Sequence, residues 1–179
     1  MRQTPEVRNA VLWSLLLIAG ALAGCDQASP PAATDENSAT NLPTHAQAKL
    51  RTMRIYLGAE SLDAELALTP REEQIGMMFR TNIQETDAML FDLHVPQQAS
   101  FWMKNCPESI SCAYMTPDGV IQEIHHLEHD DTNVVLSARN DIQFILETQD
   151  GWFARHHIAP GTLVLSANGP LAAALQRSR

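Results

Sequence analysis

From residue 51 onward the chain reads as short apolar runs separated by Pro, Gly and Asp. Met53–Leu57 (MRIYL) is strand-like. Residues 62–68 (LDAELAL) alternate, so that Leu62, Ala64, Leu66 and Leu68 share one face, the two-residue period of a half-buried strand. Thr69-Pro70-Arg71-Glu72 then starts a helix. Thr69 can cap, Pro70 suits the first helical position, and Glu72 completes a capping box. One short helix is therefore predicted over 70–78. Further strands are predicted over 88–93 (AMLFDL), 99–105 (ASFWMKN), 112–116 (CAYMT), 120–124 (VIQEI), 142–147 (IQFILE) and 161–165 (GTLVL). Pro117-Asp118-Gly119 and Asp150-Gly151 are turn signals. Residues 171–179 read as a frayed helical tail. The pattern predicts a mainly β domain over 51–170, a compact antiparallel β-sandwich or barrel with one short helix.

The first fifty residues follow another pattern. Arg2 and Arg8 precede a thirteen-residue apolar run, Val11–Ala23. That is shorter than the roughly 20 residues a membrane-spanning helix needs, and it fits the apolar segment of a secretory signal. The run ends in Leu22-Ala23-Gly24-Cys25, which resembles the lipobox of bacterial lipoproteins. The resemblance implies a signal peptide over 1–24, acylation (palmitate-type) of Cys25, and a bilayer partner reached through that lipid. Asp26 is similar to an inner-membrane retention signal of enteric bacteria, which slightly favours the inner over the outer membrane. The protein is thus expected in the cell envelope, facing the periplasm. Residues 25–50 (the lipidated cysteine and a Pro-, Ser-, Thr- and Ala-rich stretch) have too few large apolar side chains to form a core and read as a tether.

The formal net charge of −9 comes without a basic patch, which argues against nucleic acid as a partner. Cys106 and Cys112 lie six residues apart. On one straight strand that is about 20 Å, too far for a bridge. A chain reversal in Pro107–Ser111 would allow a disulfide, and both the bridged and the free state stay open at this level.

GMMFR (76–80), AMLFD (88–92), SFWMKNC (100–106), PDG (117–119) and FILETQDGW (144–152) occur in the order and spacing that resemble the domain of unknown function 192 family. The resemblance spans about residues 53–168 and implies a compact β-rich fold similar to a jelly-roll sandwich. It implies no biochemical activity. Cys106 stands where family members often have threonine. Glu108-Ser109-Ile110-Ser111 replaces a frequent isoleucine-proline-leucine-aspartate pattern, so a serine occupies the acidic position.

Polar residues embedded in these apolar motifs are the candidate site. Arg80, Trp102, Lys104, Asn105 and Glu147 are expected to border a ligand-binding cleft. Strand alternation would put Phe101, Met103 and Asn105 on one face and Ser100, Trp102 and Lys104 on the other. Lys104 beside Glu147 could alternatively serve as a proton-transfer pair in a hydrolase-like enzyme. In HHLEHDD (125–131), His126 and His129 with their acidic neighbours are a weaker candidate for zinc or copper. Met77, Met78, Met89, Met103 and Met115 read as core filler. No Gly-rich phosphate loop or serine-nucleophile elbow is present in the sequence. The favoured expectation is a membrane-anchored, non-enzymatic module for a small ligand or an envelope protein, with no cofactor. Periplasmic metal handling and the Lys104/Glu147 enzyme are the alternatives.

Overall fold

The computed structural model describes residues 43–177. The leader, Cys25 and most of the tether lie outside the described residues. Ten strands and three short helices follow in the order β1 (Thr52–Leu57), β2 (Glu60–Ala67), α1 (Pro70–Ile75), β3 (Ala88–Gln97), β4 (Ser100–Phe101) and β5 (Ile110–Met115). Then come β6 (Ile121–Leu127), β7 (Val135–Leu136), β8 (Ile142–Gln149), α2 (Trp152–Arg155), β9 (Val164–Ser166), β10 (Gly169–Pro170) and α3 (Leu171–Gln176). Among the described residues no helix is long and apolar enough to cross a membrane.

Eight strands form one sheet in the order β10-β9-β1-β2-β3-β8-β5-β6, and β4 pairs with β7 in a separate ribbon. The sheet curls until its ends meet. Val120, just before β6, bridges Leu163, just before β9, and the Val164 N–H donates to the Gly119 carbonyl at 2.8 Å. Gly119 makes this closure possible. It takes φ +84 in the turn after Pro117-Asp118, and a Cβ there would lie 2.6 Å from the Val164 carbonyl oxygen. The sheet is mixed where the pattern predicts antiparallel pairing throughout: β2 and β3 run parallel. A parallel pair needs a crossover connection, and α1 with the segment after it supplies one.

Alternation divides the side chains between two cores. Leu66, Leu90, Ala113, Met115, Phe144 and Leu146 point into the enclosed core inside the curl. Met89, Phe91, Cys112, Tyr114 and Ile145 point outward into a second core. Strands β3, β5 and β8 are therefore buried on both faces, which is why their sequences are nearly continuous apolar runs. On β2, Leu62, Ala64 and Leu66 share the enclosed face and Leu68 packs against it. The helical tail is not frayed: Leu171 and Leu175 of α3 are fully buried in the enclosed core. Gly151 at φ 72 starts α2, which buries Trp152 and Phe153 edge to face with centroids 5.4 Å apart.

The second core is covered by α1, the β4–β7 ribbon and the stretch after β4. Helix α1 starts as its sequence dictates. The Thr69 hydroxyl accepts the Glu72 N–H at 3.2 Å, and the Glu72 carboxylate accepts the Thr69 N–H at 2.9 Å. The helix ends at Ile75, three residues short of the predicted limit, because Gly76 leaves helical geometry at φ 49. The chain ahead of β1 packs on this region as well. The Gln47 amide donates to the carbonyls of Glu72 and Gly76, at 3.2 and 3.0 Å.

Candidate functional site

The stretch after β4 decides the shape of the site. The predicted strand over 99–105 stops at Phe101. Residues 103–106 form a turn closed by the Cys106 N–H on the Met103 carbonyl at 3.0 Å, with Asn105 at φ 61. Asparagine tolerates that left-handed conformation better than most residues, and lysine-asparagine here is a turn rather than a strand end. The turn is tied on two sides. The Asn105 carbonyl accepts the Phe79 N–H at 2.7 Å, which joins the GMMFR segment to the FWMKNC segment. On the other side, the Met103 N–H donates to Asp131 and the Cys106 carbonyl accepts from Asp130. This tie to the loop after β6 fixes the backbone at Cys106. Cys106 and Cys112 are free, buried thiols, and the disulfide allowed by the sequence is not formed.

Beneath this cover lies a cleft of ≈ 320 Å³. Met77, Met78, Phe91, Phe101 and Trp102 supply much of its apolar wall, and Glu73, Cys106 and Glu147 also line it. Phe91 and Phe101 meet edge to face at 5.2 Å. Trp102 is 40% exposed at the rim.

Glu147 is the unusual member. On β8 it pairs with Met89 of β3 on one side and Cys112 of β5 on the other. Met89 in turn pairs with Glu65 of β2. Glu65, Met89, Glu147 and Cys112 thus form one row across four strands. Glu147 is only 4% exposed, and among the described residues its Oε2 has no hydrogen-bond partner. Burial pushes its carboxyl up to about 8, against the pull of the nearby Arg80 charge. Burial likewise pushes the Cys106 thiol up to about 12, with smaller contributions from Glu147 and Asp130. Cys112 and Tyr114 are also raised, first by burial. Both cysteines are held as thiols, the form that is a poor nucleophile. The cleft therefore offers an apolar, aromatic-edged space with a mostly neutral carboxyl in its wall.

The profile of the DUF192 family, described as uncharacterized ACR, matches residues 53–165. The chain belongs to the DUF192 family. Every residue of the cleft lies within the DUF192 match. A crystal structure from Sinorhizobium meliloti 1021, named as a candidate transcription regulator, superposes with a TM-score of 0.64 at 25% identity. It covers 68% of this chain and 98% of its own. A protein of unknown function from Novosphingobium aromaticivorans DSM 12444 superposes with a TM-score of 0.62 at 27% identity, covering 70% of this chain and 93% of its own. No curated protein matches the chain.

The DUF192 fold brings only part of the predicted site together. Glu147 and Trp102 line the cleft; Arg80, Lys104 and Asn105 lie off its wall. Arg80 is engaged elsewhere. Its guanidinium donates two hydrogen bonds to Glu65, at 2.6 and 2.8 Å, as a bidentate pair. Glu65 also accepts the Leu50 N–H at 2.7 Å. Burial pushes the Glu65 carboxyl up, but these bonds and the charges of Arg80 and Lys49 outweigh it and hold it below its ordinary value. Lys104 places its Nζ 5.3 Å from the Trp102 ring centroid, and Arg80 is the cation whose charge bears on Glu147. The Asn105 amide lies 4.0 Å from the Met78 sulfur. The sequence pattern alone does not single out Glu65, Glu73 or the cleft-lining role of Met77 and Met78. The signal for Glu65 was a charge inside an apolar strand run; for Glu73 and the methionines no sequence signal separates lining from core.

The histidine cluster is exposed. His126 sits between Asp150, at 2.8 Å, and Glu128, at 3.1 Å, and these carboxylates raise its pKa. His129 Nε2 lies 3.2 Å from Glu128. Among the described residues no three His, Cys, Asp or Glu side chains converge as a metal-holding group. Ser111 accepts the Gly151 N–H at 2.8 Å and so supports the turn after β8.

Proposed function

We propose that this DUF192 protein is a lipid-anchored envelope module whose cleft holds a small, largely apolar ligand. The observation that carries the reading is Glu147: a buried carboxyl with an unpartnered Oε2 in the wall of an apolar cleft. Leaving a buried polar atom unpaired costs about 1–3 kcal/mol. Such exceptions to local consistency concentrate at functional sites. The volume lies at the small end of the range of roughly 300–1,000 Å³ typical of ligand pockets. The lipid anchor is supported by the apolar run ending in Leu22-Ala23-Gly24-Cys25.

A thermal-shift screen of small amphipathic compounds tests the cleft. A ligand should raise the melting temperature of the wild-type protein and lose most of that effect in Trp102→Ala and Glu147→Gln. A ligand whose shift is the same in both variants removes this cleft as the site. For the anchor, Cys25→Ala should abolish fatty-acyl labelling and release the protein from the membrane fraction. Labelling that persists in the variant overturns lipidation at Cys25.

A further inference from the structure

We propose that the ligand of this cleft is a small amphipathic amine, its apolar part among Met77, Met78, Phe91 and Phe101 and its ammonium paired with Glu147. The inference rests on the cleft being the binding site and specifies the chemistry that site selects. Charge complementarity is the first argument. Glu73 and Glu147 are the carboxylates of the lining, and no lysine or arginine lines it. Arg80, the cation that acts on Glu147, is held by Glu65 through both ends of its guanidinium. An anionic ligand would meet two carboxyl groups and no cation in the lining. Glu73 already has His94 Nε2 3.3 Å from its Oε1, so Glu147, with a buried and unpartnered Oε2, is the group left to take a ligand.

The second argument comes from Trp102. An ammonium group already lies over this ring, the Lys104 Nζ at 5.3 Å from its centroid. That face of the indole is already taken by the lysine, so a ligand's ammonium finds its partner at Glu147 within the cleft and not at the rim. Carboxylate within and aromatic surface at the mouth together suit an amine carried on a short apolar body.

The groups that face Glu147 make binding pH-dependent. Arg80 comes from the segment after α1, Cys106 from the turn after β4, Cys112 and Tyr114 from β5, and Glu73 from α1 across the cleft. The thiols and the phenol stay neutral, and Arg80 stays charged. Glu147 is the group that changes state: the neutral acid gives its proton to solvent as the ammonium arrives, leaving a carboxylate–ammonium pair. With the carboxyl raised to about 8, amine affinity should fall about fivefold over the first pH unit below that value and about tenfold per unit beyond it.

NMR titration of the full-length protein with benzylamine, benzyl alcohol and benzoate, at pH 6, 7 and 8, tests this. Benzylamine should bind at least tenfold more tightly than benzyl alcohol at pH 8, weaken about fivefold at pH 7, and weaken about tenfold more at pH 6. It should also move the Glu147 carboxyl ¹³C resonance of the wild-type protein to its ionised position. In Glu147→Gln the ratio of amine to alcohol affinity should fall to about one. Benzyl alcohol or benzoate binding as tightly as benzylamine to the wild-type protein overturns the amine assignment and leaves the cleft as the site. None of the three perturbing cleft resonances overturns both.

Discussion

Glu65 and Glu147 are both buried carboxyl groups in one row of one sheet, separated only by Met89. They end in opposite states. Glu65 receives the two ends of Arg80 and the Leu50 N–H, and its pKa is lowered. Glu147 has a buried, unpartnered Oε2 and is pushed up to about 8. Burial acts on both in the same direction, so the partner set decides the outcome. The paired end of the row is structure: a cation, a carboxylate and a backbone donor satisfying one another. The unpaired end belongs to a residue that lines the cleft. A fold that could place Arg80 beside one glutamate places it on Glu65 and leaves Glu147 available.

The largest expected effect separates the two by their pH dependence. Unfolded Glu147 ionises near 4.5, whereas in the fold it does so near 8. Between these values the folded protein binds the extra proton, so stability contributed by this group falls as pH rises. The slope is about 1.4 kcal/mol per pH unit, on the order of 4–5 kcal/mol over the window. Glu147→Gln carries no such charge. Its stability relative to wild type should climb from pH 5 to pH 8 and level off above, as measured by urea unfolding at each pH. A difference independent of pH would mean that Glu147 is ionised as Glu65 is, and the contrast between them would collapse. Glu65 has the opposite sign: its contribution is full above pH 4.5 and is lost as pH falls through its lowered folded value.

Arg80→Ala attacks the paired end. It leaves the Glu65 carboxylate buried with the Leu50 N–H as its remaining hydrogen bond from the pair's surroundings. Breaking one partner out of a buried ion pair costs roughly 3–5 kcal/mol. Removing both charges, as Glu65→Gln with Arg80→Met, should recover most of that loss in urea unfolding, because no isolated charge remains. Arg80→Ala should also raise the Glu147 pKa further, since the Arg80 charge is what pulls it down. A single variant as stable as wild type would show that Glu65 is hydrated and that the row is not a contrast of partners.

What could be read before the fold was known divides along the same line. Local chemistry was legible: the Thr69-Pro70-Arg71-Glu72 helix start, the alternation of 62–68, and the doubly buried runs AMLFD and FILE. Glu147 stood out as a charge closing an apolar run, and Trp102 as part of the most specific motif. Pairings over distance were not legible. The parallel partnership of β2 and β3 aligns Glu65 with Met89, and that register gives Arg80 to Glu65. Nothing within seven or eight neighbouring residues encodes it. The strand expected through Lys104-Asn105 is a turn, because alternation through Met103 masks a conformational preference that asparagine expresses only at φ 61.

The smallest expected effect tests whether the cover keeps Glu147 dry. Thr69→Ala removes the hydroxyl that accepts the Glu72 N–H, one half of the capping box of α1. Loss of such a cap costs about 1 kcal/mol. Helix α1 carries Glu73 and Ile75 on the cleft lining, so fraying its first turns should admit water on that side. The Glu65 end is tied through Arg80 and Leu50, and its titration should hold. The Glu147 carboxyl should move down toward the ordinary carboxylate range, read by its ¹³C shift against pH. If Thr69→Ala lowers stability and both titrations stay in place, the helix is only a lid on packing already complete. The unpaired state of Glu147 would then be set by the row of Met89 and Cys112 on either side.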